Sequence, residues 1–149
     1  MALLTHENIE VEDTAVAILE FENGALGTIQ GSTSCWSSTG HPAEIQICGS
    51  RGSAFLSDEY FRVWDFMEKE KQDIYVNENL IQGKEKGLGA NDPSAINFLG
   101  HQRNFENVIA ALENNQPPLI SGNEAMKSVK LIDAIYRSAK NDGKWITLK

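Results

Sequence analysis

The chain has 149 residues, of which 41% are hydrophobic and 23% are charged, and its formal net charge is −8. That length suits one compact domain, and the apolar fraction can build a hydrophobic core without disulfide bonds. Because 21 acidic residues outnumber 13 basic ones, nucleic acid and anionic membranes are poor partners for this chain. No apolar run approaches the roughly 20 residues of a membrane-spanning helix, so no membrane partner is expected.

The first residues, MALLTHENIEVED, have neither the basic start nor the apolar stretch of a secretory signal. They enter a strand pattern almost at once, as expected of a piece of a longer protein. We therefore expect a cytoplasmic location. We also expect reduced thiols at Cys35 and Cys48, the two cysteines of the sequence, with a disulfide as the alternative.

Two strands joined by a tight turn are predicted near the N-terminus, at residues 14–21 and 25–34. Between them, Asn23 and Gly24 provide the positive φ angles that a tight turn needs. One face of the second strand is polar, so it is not expected in a deep hydrophobic core. The residues of this face are Thr28, Gln30, Ser32 and Ser34.

Four further strands are predicted at residues 43–48, 53–58, 60–66 and 72–77. The short turns between them favour an antiparallel sheet. The sequence GSRG at residues 49–52 joins two short strands, so a hairpin turn is favoured there over a phosphate-binding nest.

The strand at residues 60–66 has two apolar faces, because side chains alternate along a strand. Alternation places Phe61, Val63 and Asp65 on one face. The residues of the other face are Tyr60, Arg62, Trp64 and Phe66. Helices can cover one face of such a sheet, and the second face would remain an exposed apolar patch unless another chain covered it. Since aromatic residues and arginine are typical of interface cores, this face predicts a homodimer that packs sheet to sheet.

The second half of the chain predicts a long glycine-rich and charged loop at residues 78–94, followed by helices at 96–114 and 122–141. Residues 145–148, WITL, are predicted to return as a last edge strand. The apolar stripe of the first helix is Phe98, Phe105, Val108, Ile109 and Leu112. The stripe of the second is Ala125, Val129, Ile132, Tyr136 and Ala139, broadened by Leu131 and Ile135.

Ser121 and Glu124 have the spacing of an N-terminal capping box for the second helix. Strands that precede helices along a chain predict an α+β fold. We therefore expect a largely antiparallel, open-faced β-sheet with helices packed on one face.

The residues offer little catalytic machinery. No G-x-G-x-x-G sequence follows a strand, no phosphate-binding P-loop occurs, and the three histidines lack the spacing of metal ligands. We therefore predict no catalytic, cofactor-binding or metal-binding residue in this chain. His101 is expected to cap the first long helix or to be partly buried there, and Cys48 is expected to lie in the core.

His41 lies beside Trp36 in a polar loop, WSSTGHP, between two predicted strands. Loops carried by a rigid sheet are where binding groups concentrate. A ligand-binding histidine and an ordinary surface histidine both remain open. Gly40 and Pro42 restrict the backbone on either side of His41, which favours a binding group.

Three stretches, taken in order, resemble the C-terminal domain of the Gfo/Idh/MocA family, which includes glucose–fructose oxidoreductase and inositol dehydrogenase. They are EDTAVAILEFENGALGTIQGS, EIQICGSRGSAFL and NFENVIAALENNQPPLISGNEAMKSVKLIDAIYRSAKNDGKWITL. The resemblance covers the chain from about Val11 to Leu148. Each stretch alone is weak, and their order and spacing make the resemblance specific.

The resemblance implies that residues 1–149 form one domain, the C-terminal substrate and oligomerisation domain of a longer oxidoreductase. An N-terminal Rossmann domain that binds NAD or NADP would be absent from the chain. In the family, the chemistry uses the lysine of an E-K-P motif and the acidic residue and histidine of a D-x-x-x-H motif. Neither motif occurs in this sequence. We therefore expect the chain alone to be inactive, with its cofactor site and proton-transfer group in the missing part.

The resemblance also bears on His41. In inositol dehydrogenase-like members, an aromatic residue that precedes a strand and a glycine turn points at the substrate, and His41 stands near that place. His41 is thus implied to face a small-molecule substrate, a sugar, a polyol or a related hydroxy compound, with Trp36 as an apolar wall. The resemblance supports the homodimer as well. A stand-alone, non-catalytic binding or dimerisation module is the alternative.

Overall fold

The structure is a computed structural model that describes residues 8–38, 40–81 and 98–148, and the backbone of residues 2–4. Its strands come first along the chain and its two longer helices last, with one short helix between them. The strands pair antiparallel, so the predicted α+β fold class is confirmed. In place of one continuous sheet, the described residues form two separate three-stranded sheets.

Two compact units make up the fold. The first combines Met1–Cys35 with Phe98–Lys149, and the second is Trp36–Asn97. Each unit has its own sheet and at least one helix. The loop that contains His41 falls within the second unit.

The sheet of the first unit has the order β1 (Ala2–Leu4), β2 (Thr14–Glu20) and β3 (Leu26–Ser32). In the turn between β2 and β3, the Gly24 N–H donates to the carbonyl oxygen of Phe21 at 2.8 Å. Gly24 has a φ of +82°, which glycine adopts without a steric cost. The hairpin predicted around this glycine is confirmed.

The two faces of β2 differ in burial. Ala17 is buried, whereas Val16 and Ile18 on the opposite face are exposed. Val16 pairs with Gln30 and Ile18 with Thr28, so this face combines the exposed apolar residues of β2 with the polar residues of β3. Of the polar face predicted from the sequence, Thr28, Gln30 and Ser32 are exposed, and Ser34, beyond the end of β3, is half-buried.

Helices α2 (Leu99–Glu113) and α3 (Gly122–Lys140) belong to the first unit. Ser121 begins α3, because its Oγ accepts a hydrogen bond from the Glu124 N–H at 3.2 Å. The Ser121 half of the predicted capping box is thus confirmed, whereas the Glu124 carboxylate accepts from Lys127 at 2.7 Å. Both long helices are present over the described residues. The turn after α3 ends at Gly143, where φ is +77°.

The apolar stripes predicted for the two helices are largely exposed, which differs from expectation. Leu112 is 76% exposed and Val129 is 64% exposed. On α3, Ala134 is buried, and three residues predicted for the stripe, Leu131, Ile135 and Ala139, are half-buried. A helix face is buried only where another surface packs against it. Among the described residues of this unit, such packing occurs mainly at these positions of α3.

A side-chain hydrogen bond ties α3 to the segment before β2. The Tyr136 hydroxyl donates to Oε1 of Glu12. If Tyr136 were ionised, its oxygen could no longer donate this hydrogen bond, and its negative charge would be repelled by the Glu12 carboxylate. The contact with Glu12 therefore raises the pKa of Tyr136 above its ordinary value of 10.0.

The second unit contains β4 (Glu44–Gly49), β5 (Gly52–Ser57) and β6 (Tyr60–Phe66), which pair in that order, and then α1 (Lys71–Asn79). The ends of β4 and β5 pair across a two-residue turn, so the predicted hairpin at this position is confirmed. The segment from β4 to β6 is an antiparallel meander with short connections.

Residues 72–77 were predicted as a strand, and this prediction is wrong because they lie within α1. Asp73 and Val76, three residues apart, are both buried. Helical spacing brings such a pair to one face, whereas strand alternation would separate them. The Asp73 carboxylate also accepts hydrogen bonds from the Glu70 N–H at 2.6 Å and from Nε1–H of Trp64 at 2.8 Å, which favours a helix beginning here.

A β-bulge changes the predicted faces of β6. The register shifts between Phe55 and Leu56 of β5, and Leu56 pairs with Phe61, so Arg62 is the extra residue. A bulge of one residue shifts the alternation of side chains beyond it. Phe61 therefore shares a face with Trp64, against the prediction from simple alternation, and their ring centroids are 4.7 Å apart.

The ends of two other predicted segments differ from expectation. Residues 145–148 have no regular secondary structure, so the predicted last edge strand is not formed. The Ser138 hydroxyl donates to the carbonyl oxygen of Lys144 at 2.7 Å, which holds the chain against the end of α3. Of the loop predicted at 78–94, the first two residues belong to α1, and residues 82–94 lie outside the described residues.

Across the part of the chain that the structure describes, no helix combines the length and the apolarity that crossing a membrane requires.

Gly52, at the start of β5, leaves no room for a side chain. A Cβ atom there would meet the Phe66 ring and would lie 2.7 Å from the carbonyl oxygen of Asp65. We expect Gly52→Ala to lower the free energy of unfolding by about 1–3 kcal/mol, because overpacking forces neighbouring groups aside. At Gly31 in β3, a Cβ atom would meet no described atom within 4 Å, so Gly31→Ala should cause no comparable loss. Equal losses for the two variants in urea unfolding would contradict this account.

The Asp73 carboxylate should also make stability depend on pH. Hydrogen bonds from the Glu70 N–H and then from Trp64 hold the pKa of Asp73 below its ordinary value of 3.8. A folded-state pKa below the unfolded one contributes stability above the unfolded value, and this contribution is lost as pH falls through the folded pKa.

Asp73→Asn should therefore lower Tm at neutral pH and weaken the fall of Tm below about pH 4, because its Nδ2 cannot accept from an N–H group. Thermal unfolding followed by circular dichroism across this range tests the expectation. Asp65→Asn, at an exposed position on β6, is the control. An acid dependence of Tm that is unchanged in Asp73→Asn would remove Asp73 as its source.

Candidate functional site

The candidate site is made of residues 36–38 and 40–43, which precede β4 and are called the His41 loop below. It begins at Trp36, whose side chain is 84% exposed. Ser37 Oγ donates to the carbonyl oxygen of Gly40 at 3.0 Å. Gly40 is buried and has a φ of +83°, a conformation that L side chains rarely adopt. The backbone is therefore fixed immediately before His41.

The other end of the loop is held by the turn between β5 and β6. The Ala43 N–H donates to Oδ1 of Asp58 at 3.0 Å, and the Asp58 N–H donates to the carbonyl oxygen of Ala43 at 2.8 Å. Asp58 has a φ of +47°, a left-handed conformation that aspartate tolerates better than most residues. His41 thus lies between two anchored residues, Gly40 and Ala43.

The His41 side chain is exposed, and so is Trp36 at the opposite end of the loop. A neutral imidazole offers one hydrogen-bond donor and one acceptor, which matches the hydrogen bonding of a hydroxyl group. An exposed indole offers a flat apolar surface. Each group is therefore accessible to a small polar molecule.

Two other residues considered from the sequence are placed differently than expected. His101 is exposed in the first turn of α2 and is not its N-cap residue, which is Phe98. Cys48 is exposed on β4, so the prediction of a core cysteine is wrong. Cys35 is also exposed, and both cysteines are free.

The four residues predicted for an oligomer interface lie on β6 near α1. The Trp64 and Phe66 rings pack edge to face, with centroids 5.0 Å apart. Arg62 extends from the bulge, and its guanidinium forms an ion pair with Glu44 at 2.9 Å. Tyr60 is half-buried at the start of β6. The prediction that all four share one face is wrong, because the bulge at Arg62 leaves Tyr60 on the face opposite to Trp64 and Phe66.

A comparison with protein families decides where the chain belongs. The model of the oxidoreductase family, C-terminal alpha/beta domain, matches residues 4–148, nearly the whole chain. The chain is a Gfo/Idh/MocA C-terminal domain. The resemblance stated from the sequence is thus confirmed. A search of curated proteins and a search of solved structures each returned no significant match.

The described residues of this Gfo/Idh/MocA domain do not fit a dinucleotide cofactor. A dinucleotide needs a glycine-rich turn between a strand and a helix whose free N–H groups bind phosphate. The connection from β6 to α1, residues 67–70, contains no glycine. Its Glu70 N–H is already bonded to Asp73, and the carboxylates of Glu68 and Glu70 would repel a phosphate. Within the described ranges, no cluster of three or more His, Cys, Asp or Glu residues could hold a metal ion either.

Reasoning from the sequence missed three residues that shape this Gfo/Idh/MocA domain. Asp58 anchors the His41 loop, Asp73 joins α1 to β6, and Phe61 belongs to the Trp64 cluster. A signal existed for Asp58, because Asp58-Glu59 stands between two alternating apolar runs, as turn residues do. The other two depend on a bulge and on a tertiary hydrogen bond, for which local sequence has no comparable signal.

Proposed function

We propose that this domain binds the substrate and supports oligomerisation in an NAD(P)-dependent oxidoreductase that acts on a sugar, a polyol or a related hydroxy compound. Membership of an oxidoreductase family supports the reaction class. The exposed His41 side chain, held between two anchored residues, is the observation that supports a substrate contact within this chain.

In this proposal His41 forms a hydrogen bond to a substrate hydroxyl, and Trp36 covers an apolar edge of the same molecule. The two groups bind and orient the substrate, and neither is required to exchange a proton with it. The cofactor, NAD or NADP, and the group that exchanges the proton belong to an N-terminal Rossmann domain outside the chain. The chain alone is expected to be inactive.

The activity is tested in the full-length oxidoreductase with a panel of aldoses, ketoses and cyclic polyols, each with NAD and with NADP. Formation of reduced nicotinamide is followed by its absorbance, and the 149-residue chain alone is the comparison. Turnover by the full-length protein and none by the chain supports the proposal. If the full-length protein neither turns over nor binds any member of the panel, the alternative of a non-catalytic binding or dimerisation module is favoured.

His41→Ala should lower kcat/KM of the full-length enzyme about 10-fold, the scale of one lost hydrogen bond of about 1–1.5 kcal/mol. Its Tm should hardly change, because the side chain is exposed. His101→Ala, which removes an exposed histidine from α2, is the matched control and should leave kcat/KM unchanged. A His41→Ala enzyme with normal kinetics would show that His41 is an ordinary surface residue.

We also propose that the oxidoreductase is a homodimer through the sheet face of the second unit. On β4, Ile45 is 59% exposed and Ile47 is 66% exposed. Their register partners are Leu56 and Ala54, and Ala54 pairs in turn with Trp64, so these apolar side chains share one face. A contiguous apolar strip of this kind commonly marks an interface. Of the four contact residues predicted from the sequence, Trp64 and Phe66 share this face, whereas Arg62 lies at the bulge and Tyr60 on the opposite face.

Ile47→Glu should weaken this dimer at least about 10-fold, because it buries an unpaired carboxylate in the interface. Cys48→Glu is the matched control, since its side chain is exposed on the opposite face of the same strand. Sedimentation velocity at micromolar concentration should show a dimer for the unmodified chain and for Cys48→Glu, and a monomer for Ile47→Glu. A monomer in all three samples would rule out the homodimer.

A further inference from the structure

We propose that Asp58 is a positioning residue for substrate binding, because it holds the His41 loop in the geometry that presents the imidazole. This inference rests on the proposed function, in which His41 contacts the substrate. Asp58 itself contacts the backbone of the loop at Ala43, two residues after His41. Its effect on a substrate is therefore indirect and passes through His41.

The contact between Asp58 and Ala43 has two hydrogen bonds of opposite direction. Oδ1 of Asp58 accepts from the Ala43 N–H at 3.0 Å, and the Asp58 N–H donates to the Ala43 carbonyl oxygen at 2.8 Å. A pair of this kind fixes orientation as well as distance, because both atoms of the Ala43 backbone are engaged. Pro42 precedes Ala43 and has a fixed φ, so little freedom remains between His41 and the anchored residue.

The backbone of Asp58 shows why this residue type is suited to the position. Its φ of +47° is a left-handed conformation that is sterically unfavourable for most residues. Aspartate and asparagine are enriched there because their short polar side chains can bond locally. At Asp58 that side chain reaches the neighbouring Ala43 instead, so one residue both turns the β5–β6 hairpin and anchors the loop.

The second carboxylate oxygen of Asp58 shows that the position is constrained. Oδ2 is buried and has no hydrogen-bond partner among the described residues. Buried polar atoms without partners cost stability and are uncommon in folded proteins. Glu44 follows Ala43 and is held by the ion pair with Arg62, which adds a second restraint to this end of the loop.

Two substitutions separate the side-chain acceptor from the backbone conformation. Asp58→Asn keeps an acceptor oxygen and tolerates a positive φ, whereas Asp58→Gly keeps the positive φ and removes the acceptor. Asp142→Gly is the matched control, because Asp142 also has a positive φ, of +57°, in the turn after α3. A change in the loop that occurs in Asp58→Gly, and not in Asp58→Asn or Asp142→Gly, is therefore caused by the loss of the acceptor.

The first measurement is NMR of the 149-residue chain, with no ligand added. In Asp58→Gly we expect the Ala43 amide to exchange with solvent at least about 10-fold faster, and the His41 ring signals to move toward those of an unstructured histidine. Asp58→Asn and Asp142→Gly should resemble the unmodified chain. The proposal is overturned if the His41 signals are unaffected in Asp58→Gly, or if Asp58→Asn behaves as Asp58→Gly does.

The second measurement is kinetic and uses the full-length enzyme with the compound that it turns over in the panel. Asp58→Gly should lower kcat/KM about 5-fold, Asp58→Asn should restore it, and Asp58→Gly should cause no further loss when His41 is already alanine. Independent, additive losses would contradict a role through His41. If His41→Ala alone has no effect, the proposed function fails, and the NMR result still decides whether Asp58 positions the loop.

Discussion

The carboxylate of Asp73 is the interaction on which the second unit most directly depends. It accepts the Glu70 N–H at 2.6 Å and the indole N–H of Trp64 at 2.8 Å, so one side chain both begins α1 and fastens it to β6. Both donors favour the ionised carboxylate, which is why its pKa is lowered although the side chain is buried. With its indole held, Trp64 packs edge to face against Phe61 on one side and Phe66 on the other.

This restraint extends from the aromatic residues to the candidate site through the β5–β6 hairpin. The bulge at Arg62 places Phe61 on the same face as Trp64, so the aromatic contacts reach the beginning of β6 as well as its end. The turn that precedes β6 contains Asp58, and its position is determined by the two strands that it joins. Asp58 forms two hydrogen bonds with the backbone of Ala43. The hairpin therefore restrains the His41 loop through hydrogen bonds rather than through side-chain packing. An exposed side chain can be held in place in this way without being buried.

Local signals in the sequence were enough for the elements that depend on local physics. The hairpin around Gly24 and the cap at Ser121 follow from residue types that suit one backbone conformation or one hydrogen bond, and both were predicted. The helix at residues 72–77 was not predicted, because apolar alternation in these residues fits a strand. The hydrogen bond from Trp64 to Asp73, which favours a helix, involves a residue on another element. The same limit applies to the His41 loop. Its polarity and exposure could be predicted, whereas its anchoring through Asp58 depends on a pairing fifteen residues apart in sequence.

The burial of apolar side chains gives a physical reason for regarding this domain as part of a larger assembly. The buried hydrophobic residues among those described are small or medium in size: Ala17, Val76, Ala111 and Ala134. Larger side chains such as Ile47, Phe105 and Leu112 are more than half exposed. Full burial of one such side chain contributes about 1.5–3 kcal/mol, so leaving several in water sacrifices a large part of the stability of a domain of this size. We infer that surfaces outside the described residues cover some of them.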